Sequence, residues 1–237
     1  LSKSNNNTAI LVFIRSEKEE AQIKKFGSCL SFKGNCQVAS LLNKRVKSIA
    51  RKSGLPIIVV SGNQQNGDNF GQRFTDAVTQ VFEKGYDNVL AIGNDCLSIS
   101  SNLLREAASV VKEEKVVIGS TQNGGVYLLG FQKTAFHQTE FASLPWQTNQ
   151  LFFTLKKYFQ NKISANFYFL KIARDANDAD SFQTILNQLS DDFSFKNSIQ
   201  NLLNIIQIKQ VFSISFLSFF LLKNNLSRRG PPVLFLQ

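Results

Sequence analysis

Apolar and polar positions alternate along this chain in a repeating order. After a polar, turn-prone stretch (residues 1–7), Thr8 to Ile14 reads TAILVFI, a β-branched apolar run that fits a strand buried on both faces. Residues 16–26 are charged and predict a helix. From Gln37 to Ser53, Val38, Leu41, Leu42, Val46 and Ile49 recur at helical steps, and Gly54 is the expected stop. Pro56 introduces a second buried strand, Ile57 to Val60. The clearest helix spans 69–84, where Phe70, Phe74, Ala77, Val78, Val81 and Phe82 share one face and Gly85 closes it. Asn88 to Gly93 predicts a third strand. Ser100 or Ser101 caps a helix carrying Leu103, Leu104, Ala107, Ala108 and Val111. Lys115 to Gly119 predicts a fourth strand, and Val126 to Gly130 another. A helix around 147–160, a strand around 166–172 and a helix over 179–190 complete the series.

Strand alternating with helix four times over is the pattern of an α/β fold, a mostly parallel sheet with helices on both faces. The expected organisation is a loose leader (1–7), one domain (8–192) and a C-terminal appendage (193–237). The appendage has no acidic residue after Asp192, while Lys196, Lys209, Lys223, Arg228 and Arg229 supply half of the net charge of +10. Its run Val211 to Leu222 is uncharged, yet twelve residues fall short of the about 20 needed to cross a bilayer as a helix. One reading packs this segment on the domain or leaves it as a loose end. The other lays it on a membrane surface or a partner.

Composition narrows the classes. Of 237 residues, 43% are hydrophobic and 11% aromatic, enough to build a sizeable core, so wholesale disorder is excluded. One His and three scattered Cys argue against a structural zinc site, a disulfide scaffold and catalysis by several imidazoles. With half the charge in the tail, the basic pI is no argument for nucleic acid, and no nucleic-acid partner is expected. Residues 1–7 lack the apolar segment of a signal peptide, so a cytoplasmic location is expected, with membrane association through the tail as its variant. There is no Met even at position 1, so Leu1 is expected to follow a processed, trimmed or incomplete N-terminus. The bias to 22 Phe against 4 Tyr and 1 Trp has no physical explanation at this level.

Ligands of open parallel sheets bind beyond the carboxyl ends of the strands. There the chain carries Arg15-Ser16-Glu17-Lys18, Ser61-Gly62-Asn63 and Gly93-Asn94-Asp95-Cys96. A carboxylate just past a buried strand, such as Asp95, suits a hard divalent cation on a diphosphate, or is an ordinary turn residue. Asn123-Gly124-Gly125 reads as a tight hairpin turn, or as a loop where a sugar or phosphate meets bare backbone. Asp175, Asp178 and Asp180 cluster before a helix, to cap it or to give a second metal ligand. Trp146 reads as an anchoring residue, Cys96 as a small buried one, and His137 as exposed.

Five segments occur in order: Gln65-x-Gly67-x-x-Phe70-Gly71-x-Arg73, Gly93-Asn94-Asp95-Cys96, Gly119-x-x-x-Asn123-Gly124-Gly125-x-Tyr127-x-Leu129-Gly130, Pro145-Trp146-x-Thr148 and Asp175-x-x-Asp178. Together, over about residues 8–190, they resemble a bacterial family of poorly characterised, glycosyltransferase-like proteins of the nucleotide-diphospho-sugar transferase superfamily. The resemblance implies a glycosyltransferase A-type nucleotide-binding domain using Mg²⁺ or Mn²⁺. It implies Asp95 and Asp178 as metal ligands, and Gly124 and Gly125 near the sugar or acceptor. It also implies Arg73 facing the cleft. Two departures stand out. The family's Gly and Lys-Thr-Arg after the first strand are replaced by Arg15-Ser16-Glu17-Lys18-Glu19-Glu20-Ala21-Gln22-Ile23-Lys24-Lys25. Three Glu there are expected to repel a triphosphate, with Arg15, Lys24 or Lys25 as substitutes for the lost cations. The family's Asp-Gly-Gly is Asn123-Gly124-Gly125 here.

The expected function is a metal-dependent transferase acting on a nucleotide-activated sugar. Asp95 and Asp178 hold the metal, Arg15, Arg73 and Asn94 the nucleotide phosphates, and Asn123, Gly124, Gly125 and Trp146 the substrate. The alternatives are nucleotidyl transfer from an NTP to a small phosphorylated acceptor, and a degenerate module that binds a nucleotide or a membrane surface without catalysis.

Overall fold

The computed structural model describes residues 7–27, 30–163, 166–175, 179–188 and 194–204. Its strands are β1 (Thr8–Ile14), β2 (Ile57–Ser61), β3 (Asn88–Ile92), β4 (Lys115–Ser120), β5 (Val126–Gln132) and β6 (Asn166–Phe169). Its helices are α1 (Glu17–Ile23), α2 (Phe32–Lys52), α3 (Phe70–Glu83), α4 (Ser101–Lys112), α5 (Gln138–Ala142), α6 (Leu151–Ile163), α7 (Ala179–Gln188) and α8 over 194–204. The strands form one sheet in the order β2-β1-β3-β5-β4-β6. β1 pairs in parallel with β2 and β3, and β4 with β6, whereas β5 runs against both its neighbours. The sheet is therefore mostly parallel, as the alternation of elements implies.

Every residue of β1 and β3 is buried, because both strands lie inside the sheet with helices on either side. Side chains split by parity. Ala9, Leu11 and Phe13 of β1 face a cluster with Phe74, Val78 and Phe82 of α3, Phe141 of α5 and Leu155 and Phe159 of α6. Ile10, Val12 and Ile14 face Val46, Ile49 and Ala50 of α2 and Leu104, Ala107 and Val111 of α4. The abundant Phe concentrates on the first face. Phe82, Phe131, Phe136, Phe141 and Phe159 make ring contacts there at centroid separations of 5.3–6.2 Å.

A third cluster lies against the N-terminal half of α2. Val38 and Leu42 meet Phe26, Leu97, Phe182 and Leu186, and Phe195 and Ile199 of α8 join them. The expected domain boundary at 192 and the apolar run Val211 to Leu222 lie outside the described residues. No described helix is long and apolar enough to cross a membrane.

Local chemistry explains where the elements start. Ser31 accepts a hydrogen bond from Gly34 N at 3.2 Å, so α2 begins at Phe32, five residues before the start at Gln37 that the sequence predicts. Ser100, rather than Ser101, caps α4. Helix α6 begins at Leu151 and not near 147, because Gln147 has φ of 64°, outside the helical region.

Candidate functional site

A cleft of about 470 Å³ opens beyond the carboxyl ends of β1 and β3, where open α/β sheets bind ligands. Phe13, Phe70, Phe74 and Trp146 give it apolar walls. Arg15, Lys24, Arg73, Asn94, Asp95 and Asp175 bring charge and polarity.

The rim after β1 is a chain of paired charges. Ser16 caps α1 through a capping box: Glu19 Oε2 accepts from Ser16 N at 2.9 Å, and Ser16 Oγ accepts from Glu19 N at 3.4 Å. Hydrogen bonds from Ser16 hold the Glu19 carboxyl below its ordinary pKa. Glu20 is 1% exposed and lies between Arg15 Nη1 at 3.3 Å and Lys24 Nζ at 2.9 Å. Lys24 also donates to Asp95 Oδ1. Burial alone lowers the pKa of the Lys24 ammonium, but Asp95 and Glu20 outweigh it and the net shift is upward. The expected repulsion by three Glu is therefore corrected: of Glu17, Glu19 and Glu20 only Glu20 lines the cleft, and two cations neutralise it.

Asp95 follows β3 as expected and is 38% exposed at its side chain. Its neighbour Asn94 is buried, and its amide donates to Asn43 Oδ1 at 2.7 Å while Asn43 donates to Arg15 O at 3.1 Å. This relay braces the ends of β1 and β3 and engages one of the two Asn94 side-chain N–H groups. Cys96 is buried, and burial pushes its thiol up to about 11, which leaves it a poor nucleophile at neutral pH.

Asp175 lines the cleft with Asp95, although sequence reading passed over it as a metal ligand in favour of Asp178. Asp178 lies outside the described residues. Asp175 is carried there by the strand-like run after β6: Ala173 bridges to Thr121, with Gln122 N to Ala173 O and Ala173 N to Ser120 O both at 3.0 Å. Burial, and then the charge of Asp95, raise the Asp175 pKa against the opposing hydrogen bond from Thr121 and the charge of Lys24. The sequence signal was the first acidic residue after that run.

The opposite rim is backbone. Asn123 and Gly125 line the cleft, while Gly124 turns away with φ of 77° and packs where a Cβ would meet the Asn149 carbonyl. Trp146 lines the cleft and is also anchored: its Nε1 donates to Phe141 O at 2.8 Å, and its ring lies 4.9 Å from Phe141 and 5.0 Å from Phe74. Arg73, half-buried on α3, lines the cleft with no carboxylate in ion-pair range among the described residues. His137 is exposed and away from the cleft.

No group of three or more His, Cys, Asp or Glu that could hold a metal occurs among the described residues. Asp95 and Asp175, both lining the cleft, offer oxygen ligands of the kind a hard cation takes, with its remaining ligands left to phosphate and water.

The fold and cleft define a class, the α/β proteins with a mostly parallel sheet and a cleft at the strand ends. A crystal structure of a candidate nucleotide-diphospho-sugar transferase from Desulfovibrio desulfuricans G20 matches with a TM-score of 0.70 and 17% identity, over 84% of this chain and 97% of that one. At that identity the likeness establishes a shared fold. Weaker likenesses are a Mycobacterium tuberculosis H37Rv protein solved with manganese (TM-score 0.44, 13% identity, 77% and 100% of the two chains) and a cytidylyltransferase from Leptospira borgpetersenii (0.39, 14%, 86% and 95%). In sequence, residues 33–148 match a family described as "Uncharacterized protein conserved in bacteria (DUF2064)". No curated protein matches the chain. Four of the five motifs fall inside that match, so the resemblance to a bacterial family of undefined role holds over residues 33–148, and the structural likeness adds a shared fold.

Proposed function

We propose that the chain is a glycosyltransferase A-type enzyme that moves a sugar from a nucleotide-activated donor, with Mg²⁺ or Mn²⁺ held by Asp95 and Asp175. The observation carrying this reading is the meeting of those two carboxylates with Arg15, Lys24 and Arg73 in one cleft at the strand ends. When bound, the ion would offset the negative charge of the leaving nucleoside diphosphate. Arg73 and Arg15 offer charge-assisted hydrogen bonds to phosphate oxygens. The aromatic wall of Phe70 and Trp146 offers an apolar surface to the sugar or base, and Asn123 and Gly125 border the entry for an acceptor hydroxyl.

A second reading, nucleotidyl transfer from an NTP, gains from one observation. Neutralisation of Glu20 by Arg15 and Lys24 removes the charge that argued against a triphosphate near β1.

A thermal-shift panel of nucleoside di- and triphosphates and nucleotide-sugars, with and without Mn²⁺, tests both. The expected outcome is a Mn²⁺-dependent rise in Tm with one nucleotide-sugar, absent in Asp95→Ala, followed by nucleoside diphosphate release on adding acceptor. A rise with an NTP and release of pyrophosphate would select the second reading. Folded protein that responds to no ligand would overturn both and leave the degenerate binding module.

A further inference from the structure

Lys24 and Lys25 are adjacent but differ in placement. Lys25 is exposed, whereas the Lys24 side chain is 7% exposed and reaches across the cleft. Its ammonium lies 2.9 Å from Glu20 Oε1 and against Asp95 Oδ1, one end in a buried carboxylate and the other in the carboxylate proposed to hold a metal. The tether is short, because Lys24 is the C-terminal cap of α1 and its own N–H bonds Glu20 O at 2.9 Å. Glu20 is fixed in turn by Arg15. The ammonium thus occupies the face of Asp95 that looks towards α1.

We infer that Lys24 is a cation gate: its ammonium occupies Asp95 in the ligand-free protein and must pass to a phosphate before a divalent ion can take that carboxylate. A divalent ion drawn to the same carboxylate would lie within a few ångströms of the ammonium and be repelled by it, so each cation weakens the other's hold on Asp95. A phosphate entering beside Arg15 and Arg73 offers the ammonium a new partner of the kind lysine prefers. Metal and phosphate then bind as a pair, each weakly alone, and the coupling resides in this one side chain. Glu20 is the positioning residue, keeping the ammonium within reach of Asp95. This inference rests on the proposed metal role of Asp95 and adds a rule for the order and dependence of binding.

The test titrates Mn²⁺ alone into the full chain, following free Mn²⁺ by electron paramagnetic resonance. Lys24→Gln is expected to bind Mn²⁺ about tenfold more tightly than wild type, and Lys24→Arg to stay as weak as wild type. Removing Lys24 strands a buried carboxylate, so the double variant Glu20→Gln/Lys24→Gln carries the same expectation with that charge gone and the net charge unchanged. Inorganic phosphate, itself a ligand for the ion, is expected to tighten Mn²⁺ binding to wild type by a clearly larger factor than to Lys24→Gln. Measurable Mn²⁺ binding with equal affinity in wild type and both variants lacking Lys24 would overturn the gate while leaving the metal reading intact. Folded proteins that bind no Mn²⁺, with or without phosphate, would overturn the metal reading itself and the gate with it.

Discussion

The two rims of the cleft are made of different materials. The rim after β1 is a run of side-chain charges, Arg15, Glu20 and Lys24, each answered by the next and the last by Asp95 beyond β3. The facing rim, Thr121 to Gly125 and Trp146 to Asn149, is backbone laid against backbone and propped by aromatic rings. The first sets charge, through pairs that must be exchanged together because Glu20 and Lys24 are buried. The second sets shape, and an added atom there has nowhere to go.

Substitutions on each side put that contrast at risk. The largest effect is expected from Phe141→Ala. Phe141 is fully buried against Phe74, Phe131, Phe136, Trp146 and Tyr158, and its loss is expected to cost about 4 kcal/mol in chemical denaturation. It is also expected to abolish any ligand-induced Tm shift, because Trp146 rests on that ring; a retained shift would mean the backbone rim stands without its prop. Gly124→Ala is expected to cost about 3 kcal/mol, since the site combines φ of 77° with a Cβ directed at the Asn149 backbone. A silent Gly124→Ala would erase the claim that this rim is limited by shape. On the charged rim, Ser16→Ala removes the capping box of α1 and is expected to cost only about 1 kcal/mol by the same measurement. A loss as large as at Gly124 would show that the charged rim is rigid too.

Much of the fold was legible because it depends on local rules. Buried strands such as Thr8–Ile14 announce themselves by β-branched runs, and α3 by its aromatic face and its Gly85 stop. Helix α5 was not legible, since five residues with one buried Phe141 make no periodic pattern. Nor was the start of α2, where the cap at Ser31 precedes a stretch with few apolar positions. The site was half legible. Asp95, Arg15, Asn123 and Gly125 converge because strand ends can be counted from the pattern, and Arg73, which only the family resemblance implied, joins them from α3 with Trp146 from the loop before α6. The partners of Asp95 could not be counted that way. Lys24 lies 71 residues before it, and Asp175 arrives by a register set through Thr121 and Ala173. The three Glu after β1 misled for the same reason: their number is in the sequence, but their neutralisation is in the folding. Asn94 sat in the expected place, with its amide turned to a neighbour 51 positions away.

The chain carries 22 Phe and a single Trp, and that Trp lines the cleft. Light at the red edge of the absorption band excites indole alone, leaving the phenyl rings and the four Tyr dark. Emission from the folded protein therefore comes from one spot, Trp146, whose N–H is fixed to a carbonyl and whose surroundings change when water leaves the cleft. A dye or a label is unnecessary: the molecule comes with its own lamp, mounted in the wall of its binding site.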